Sequence, residues 1–298
     1  MTIAQLKILA ALEESGNFTE VAERLGITQS AVSHSLAGLE SELGVTLIGR
    51  DRKGGVPTEA GKRVLLHVRE ILSRLDLIRE EVSALGGLRI GKVRIGSLQS
   101  VALRILPEIV VRFRQKYPGI EVSVFEGSDQ EILDWIRAGT IDLGVLTAPA
   151  EEMKTFPLIQ DRLMAVLPEG HPLGEKSGVT FQELSEWPLI RSFGTCGTLV
   201  ASGFSEAGVF PGPKMIEARS LETLGALVRA GAGSAVIAEL AVPSDRAGIR
   251  VVPIEPRRMR EIVLSMLSFE GLSPSVEAFV EEVRAWSSQH ELKSEGKK

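Results

Sequence analysis

The sequence has 298 residues, enough for two domains at roughly 150 residues each, and a chain of this size buries about three quarters of its unfolded surface without help from disulfides or a structural metal. A single cysteine, Cys196, excludes an intrachain disulfide and any multi-cysteine zinc or iron–sulfur centre, and suits a reducing cytosol. The net charge of −5, from 34 basic and 39 acidic residues, argues against a protein that coats nucleic acid through charge alone. The histidines His34, His67, His171 and His290 are widely scattered, and no HExxH, Walker loop or GxSxG motif is present, so neither an enzyme nor a cofactor is expected. No apolar run approaches the ~18 residues of a membrane helix, and the first apolar stretch meets Glu13 and Glu14 early. The expectation is a soluble, cytoplasmic protein with no membrane partner.

Charge is distributed unevenly along the first part of the chain. Residues 1 to 48 hold Lys7 and Arg24 against six glutamates, whereas residues 49 to 63 hold Arg50, Arg52, Lys53, Lys62 and Arg63 against Asp51 and Glu59. A phosphate-binding surface should therefore centre on residues 50 to 63. Ile3, Leu6, Ile8, Leu9 and Leu12 recur at mostly helical spacing, which predicts a helix over 3–14 that Ser15-Gly16-Asn17 ends. A second helix follows in FTEVAERLG, with Thr19 as its N-cap and Gly26 at its C-terminus. A third opens at Thr28, with Ala31, Val32, Leu36, Leu39 and Leu43 facing inward before Gly44. Two short helices joined by Gly-Ile-Thr form a helix-turn-helix. The outer face of its second helix enters the major groove and needs small or hydrogen-bonding side chains near its start, which Gln29, Ser30, Ser33 and His34 supply. LIGRDRKGGVPT then reads as a β-ribbon with Gly54-Gly55 at the turn, and Arg50, Arg52, Lys53 and Thr58 are placed to hold phosphates. The alternative is a small helical bundle followed by an ordinary charged hairpin.

The ordered set Ala22/Leu25, Gln29, Ala31-Val32-Ser33, Leu39-Glu40, Leu43-Gly44, Leu47, Arg50, Thr58 and Ala60-Gly61 resembles the winged helix-turn-helix of LysR-type transcriptional regulators. Ile48 stands where that family usually has phenylalanine, and Pro57 where it usually has leucine. Both are apolar exchanges within the wing.

From Thr58 the chain reads as one long helix ending at Gly86-Gly87. Val68, Ile71, Leu75, Ile78, Val82 and Leu85 follow spacings of 3, 4, 3, 4 and 3, a heptad seam that calls for a partner helix. The simplest partner is a second copy; the alternative is packing against the chain's own C-terminal domain. The resemblance implies dimerisation through this helix. Two reading heads about 34 Å apart then match two half-sites on one face of DNA.

After a glycine-rich joint at 86–91 the pattern becomes alternating strands and helices: KVRIGSL, a helix over 101–118, IEVSVFEG, a helix in DQEILDWIRAGT, and IDLGVLT. Such parallel α/β sheets bind ligands beyond the carboxyl ends of their strands, where Ser97, Gln99, Ser100, Ser128 and Thr147 lie. A second lobe reads from WPLIRS to SAVIAEL and would add Thr195, Cys196, Ser220 and Glu222 to an inter-lobe cleft. Ser97, Ser100 and Ser220 have a plainer alternative role as helix N-caps. Arg191, Arg219 and Arg229 are candidates to neutralise an anionic ligand. Segments near LIQDRLMAVLP and REIVLSMLS should cross between the lobes, and PSVEAFVEEVRAW should return as a last helix with Val276, Phe279, Val280, Val283 and Trp286 inward. Five stretches, including YPGIEV, GTIDLGVL and LVRAGAG, resemble the effector domain of LysR-type regulators, which is similar to periplasmic solute-binding proteins.

The expected fold is thus an α+β multidomain chain: a winged helix-turn-helix over 1–58, a linker and dimerisation helix over 59–87, and a two-lobed α/β effector domain over 92–298. Lobe I takes about 92–162 and 265–298, and lobe II about 163–264. The expected function is sequence-specific regulation of transcription, with double-stranded DNA and a small-molecule effector as partners. The resemblance adds a homotetramer built as a dimer of dimers, and RNA polymerase. An effector-independent repressor and a cytosolic small-molecule-binding protein are the alternatives.

Overall fold

The computed structural model describes residues 1–51, 54–87, 90–147, 149–192, 195–211 and 215–295, with side chains described for all of these except 50, 51, 54, 195, 196, 215 and 291–295. It divides into two compact units, 1–91 with 138–140, and 92–137 with 141–298. Among the described residues no helix is long and apolar enough to cross a membrane.

The first unit holds α1 (Ile3–Ser15), α2 (Phe18–Leu25), α3 (Gln29–Leu43), β1 (Ile48–Asp51), β2 (Gly54–Pro57) and α4 (Glu59–Ala84). Each of the first three helices ends on a glycine in the left-handed region, Gly16, Gly26 and Gly44, where no side chain strains the backbone. The N-cap of α2 is Asn17 and not Thr19: the Asn17 side-chain oxygen accepts the N–H groups of Thr19 and Glu20 at 2.9 and 3.3 Å. Helix α2 therefore starts at Phe18. Leu6, Leu9, Leu12, Val32, Leu39 and Leu65 join one core, each leucine contributing about 1.5–3 kcal/mol by leaving water. Ile3 and Leu43, expected inside, stand exposed at the open ends of α1 and α3.

The wing differs from its expected form. Gly54 and Gly55 lie within β2, opposite Asp51 and Arg50, and so do not form the turn. Gly55 is needed for a close approach: its N–H donates to Gly16 O at 2.7 Å, and a Cβ there would stand 2.7 Å from Ile48 Cγ2. The wing is thereby tied to the joint between α1 and α2. At its base, a Cβ on Gly61 would stand 2.0 Å from Leu47 O. Helix α4 can cross the strand only because residue 61 has no side chain. Gly61→Ala should accordingly destabilise this unit by about 1–3 kcal/mol, as overpacking generally does. Urea unfolding of the full chain followed by helical circular dichroism measures this, and an unchanged midpoint would contradict the contact.

The second unit runs β3 (Gly91–Ser97), α5 (Gln99–Arg104), α6 (Leu106–Lys116), β4 (Ile120–Glu126), α7 (Asp129–Arg137), β5 (Leu143–Leu146), β6 (Lys154–Pro168), α8 (Phe181–Leu184), β7 (Leu189–Ser192), α9 (Thr195–Glu206), β8 (Met215–Ala218), α10 (Leu221–Arg229), β9 (Ala235–Ala238), β10 (Ile249–Pro253), β11 (Met259–Met266) and α11 (Pro274–Glu295). The expected helix over 101–118 is two helices, α5 and α6, broken at Ile105. Pro107 explains the break, since it has no N–H to continue the ladder from α5. The sheet order is β10-β6-β11-β5-β3-β4, with β9 also on β6.

Strand β6 belongs to both lobes. Its first half, Lys154–Arg162, pairs with β11, and its second half, Leu163–Pro168, pairs with β9 and β10. The return crossing falls at 254–258 and not within REIVLSMLS, because β11 pairs only with β5 and the first half of β6. Helix α11 buries Val276, Phe279, Val280, Val283 and Trp286, with Phe279 edge-on to Phe113 of α6 at 5.1 Å.

In lobe II, His171 begins a short 3₁₀ turn over Pro172–Glu175. Its Nδ1 accepts the Leu173 N–H at 3.2 Å, and its ring meets Trp187 at 4.3 Å. Burial holds the imidazole below the usual histidine range. The unfolded chain thus takes up this proton at a higher pH than the fold does, so the contribution is present above about pH 6.5 and is lost as pH falls through the lowered folded value. Thermal midpoints of the parent and His171→Gln should converge between pH 7 and pH 5; a constant gap would contradict the neutral cap.

Candidate DNA-reading face and ligand cleft

Thr28 caps α3 by accepting the Ala31 N–H at 3.2 Å, which sets the start of the helix and the direction of the side chains after it. Gln29, Ser30 and His34 are exposed and Ser33 is half-buried. Gln29 Nε2 donates to Ser33 Oγ at 3.4 Å, one turn on, and the hydroxyls of Thr28 and Ser30 lie 2.9 Å apart. These side chains form one hydrogen-bonding patch with nothing of the first unit's core above it. The side chains of Arg50, Arg52 and Lys53 lie outside the described residues. Thr58 takes a different role: its hydroxyl donates to Thr46 O at 2.7 Å and accepts the Gly61 N–H at 3.0 Å. With its one proton engaged there, it joins the wing to α4 and has none left for a phosphate.

The seam residues of α4 divide. Val68 is buried in the unit's own core, Leu75 is half-buried, and Ile71, Ile78 and Val82 are exposed on the helix surface. Leu85 follows the last helical residue and is exposed.

In the second unit a cleft of about 260 Å³ opens between the lobes. Gln99, Ser100 and Ser128 line it from the starts of α5 and α7, and Ser220 lines it from the start of α10. Gln99 Oε1 accepts the Leu221 N–H at 3.2 Å, a bond that spans the two lobes. Ser220 caps α10 through the Thr223 N–H at 3.1 Å. Ser128 donates through both its N–H and its hydroxyl to Glu131 Oε2, at 2.8 and 2.7 Å; these bonds, with a smaller pull from Arg219, hold the Glu131 carboxyl below the usual range.

Beneath this ring lies a charged group that the sequence reading did not find. Arg260 and Asp161 are both almost fully buried, with Arg260 Nε and Nη2 donating to Asp161 Oδ2 at 3.0 and 2.7 Å. Arg260 Nη2 also donates to Ser100 Oγ at 2.8 Å, and Leu240 N–H donates to Asp161 Oδ1 at 3.3 Å. Burial pushes the Asp161 carboxyl upward against the pull of the Arg260 guanidinium. The register places this arginine and aspartate opposite each other on β11 and β6, a pairing of distant segments that sequence spacing does not show.

The other expected cleft residues lie elsewhere. Ser97 is fully buried and donates to Leu98 O. Thr147 donates to Asp129 through its N–H at 2.7 Å and does not line the cleft. Glu222 faces a separate cavity. The side chains of Thr195 and Cys196 lie outside the described residues. Of the three arginines considered for an anion, Arg219 lines the cleft, Arg191 pairs with Glu217, and Arg229 holds the carbonyls of Asp245 and Ala247.

Residues 86–288 match the LysR substrate binding domain, and residues 3–62 match the bacterial regulatory helix-turn-helix protein, lysR family. The chain belongs to the LysR family. It is 36% identical over 95% of its length to a probable transcriptional regulator, LrrA, of Synechococcus elongatus, covering 97% of that protein. It is 30% identical over 97% of its length to the transcriptional dual regulator OxyR of Escherichia coli, again covering 97% of that protein. Among solved structures, full-length CbnR complexed with its target DNA matches with a TM-score of 0.71 at 23% identity, over 96% of this chain and 100% of that one. A full-length OxyR variant from Pseudomonas aeruginosa matches with a TM-score of 0.75 at 22% identity, over 95% of each chain. This LysR-type chain is a DNA-binding transcriptional regulator with an N-terminal reading domain and a C-terminal substrate-binding domain.

Asp161→Asn should destabilise the second unit by about 3–5 kcal/mol, because it leaves a guanidinium buried without its counter-charge. Replacing both partners with leucine and methionine should recover most of that loss. Chemical unfolding of the two variants compares these, and a silent Asp161→Asn would mean that the pair is hydrated.

Proposed function

We propose that this LysR-family regulator is switched by a small molecule bound in the inter-lobe cleft, and that it reads DNA as a homodimer or a dimer of dimers. The observation that carries the reading is the cross-lobe bond from Leu221 N–H to Gln99, set in a cleft that Ser100, Ser128 and Ser220 also line. An effector that bonds both walls stabilises one separation of the lobes over another, and only such differential affinity shifts the balance. Gln29, Ser30, Ser33 and His34 make the base or near-base contacts. Arg50, Arg52 and Lys53 hold phosphates, while Thr58 fixes the base of the wing. Ile71, Leu75, Ile78 and Val82 form the seam against a second copy, with Val68 retained by the first unit's own core. RNA polymerase is the partner at the promoter, and the cytoplasm is the compartment.

Selection of genomic DNA fragments by the purified protein, with and without a metabolite panel, tests this. An imperfect inverted repeat should be enriched, and one metabolite class should change its occupancy. No enrichment at low salt would remove the reading function from α3. On an enriched site, Arg50→Ala should lower affinity for all sequences and flatten the salt slope by about one unit. Ser33→Ala should instead change sequence preference, and a uniform loss across sites would contradict its base contact.

A further inference from the structure

We propose that the second unit carries another small-molecule site, back to back with the cleft, for a compact organic anion with an apolar body. A cavity of about 340 Å³ lies between α5, the first two turns of α10 and residues 240–244. Leu103, Leu221, Leu240, Val242 and Pro243 give it mostly apolar walls. The cleft, by contrast, is lined largely by serines and charged groups. Leu221 and Ala241 face both cavities, so the two are separated by a single layer of side chains.

Two features point to a ligand and to its charge. Leu103 stands 51% exposed at the mouth and continues the cavity's apolar wall outward, giving an apolar ligand body a surface to cover. Arg104 lines the same cavity and donates only to neutral oxygens, Ser244 Oγ and Val242 O, both at 2.5 Å. No carboxylate pairs with it among the described residues. Arg104 is exposed at the cavity, and a carboxylate on the ligand can pair with its guanidinium while the apolar body covers Leu103, Leu221 and Pro243. Glu222, in the first turn of α10, repels a second negative group and favours a monoanion.

The position also gives the site a consequence. Helix α5 comes from lobe I, whereas α10 and residues 240–244 come from lobe II. Two sets of bonds join them: Leu221 N–H to Gln99, beside the wall that cleft and cavity share, and Arg104 to Val242 and Ser244, on the cavity's own lining. A ligand here presses the same two elements together from behind, and so favours the closed lobes without entering the cleft. This inference does not require the cleft to hold an effector.

Calorimetric titration of the full chain with octanoate, octanol and octylammonium separates the apolar from the charged contribution. Octanoate should bind at one site per chain and raise the thermal midpoint, with octylammonium at least tenfold weaker. Arg104→Gln should reduce octanoate to the affinity of octanol. Gly225→Leu projects a side chain into the cavity, where even a Cβ stands 3.1 Å from Pro243 Cγ, and should weaken octanoate at least tenfold. Leu103→Gln changes an exposed position that the fold tolerates, and should weaken it as well while DNA binding persists. Octanoate binding unaltered in both variants, or no tighter than octylammonium, would overturn the site. So would affinity that falls as protein concentration rises, which assigns these walls to a second copy of the chain.

Discussion

The buried pair of Arg260 and Asp161 is the interaction on which the second unit is organised. Each charge alone would cost several kcal/mol to remove from water, and the pair persists because its geometry answers both. Two guanidinium donors meet one carboxylate oxygen, a backbone N–H of lobe II meets the other, and Ser100 takes a further guanidinium hydrogen. Asp161 sits one residue before Arg162, where β6 finishes pairing with β11 and goes on to pair with β9 and β10. The ion pair therefore stands at the crossing and bonds to both lobes. Any movement of one lobe against the other would have to preserve this cluster or expose a charge.

That constraint explains why the cleft opens where it does. The starts of α5 and α10 face each other directly above the pair, and Gln99 closes the gap with a neutral side chain. A neutral bond of this kind is worth about 1 kcal/mol net, whereas breaking the pair below it leaves a buried charge uncompensated at a cost of about 3–5 kcal/mol. The hinge is thus strong at its base and weak at its mouth. A ligand in the proposed site would compete with a bond it can replace and leave intact the one it cannot.

Much of this was legible in the sequence. Periodicity and the glycine stops gave the three N-terminal helices, and the inward residues of α11 followed from spacing alone, because both signals are local. What depended on distant residues was less visible. Gly54 and Gly55 suggested a turn, yet Gly55 is required by the approach of Gly16 and Ile48 from other segments. Val68 fitted a heptad seam, but the core beneath α1 claimed it. The serines expected at the cleft divide: Ser100, Ser128 and Ser220 line it, whereas Ser97 is sealed in the core. Glu222 faces the neighbouring cavity, since two residues after Ser220 the helix has turned about half way round and sequence spacing alone does not say which wall faces which space.

Electrostatics of the reading domain follow a similar logic of local over global. The first 48 residues hold six acidic and two basic side chains, and Arg24 is already paired with Glu14. Long-range attraction to phosphates is correspondingly weak over the helices and concentrated in the five basic residues of 49–63. A domain built this way gains little from sliding onto arbitrary DNA through charge. In the proposed dimer, affinity would come from short-range contacts of the patch on α3 and from engaging two half-sites at once. Effective concentration then depends on how far apart the two heads are held, which makes binding sensitive to small changes of spacing. A weakly charged reading head is therefore suited to control by an effector: the less the phosphates contribute uniformly, the larger the share of binding free energy that geometry can switch.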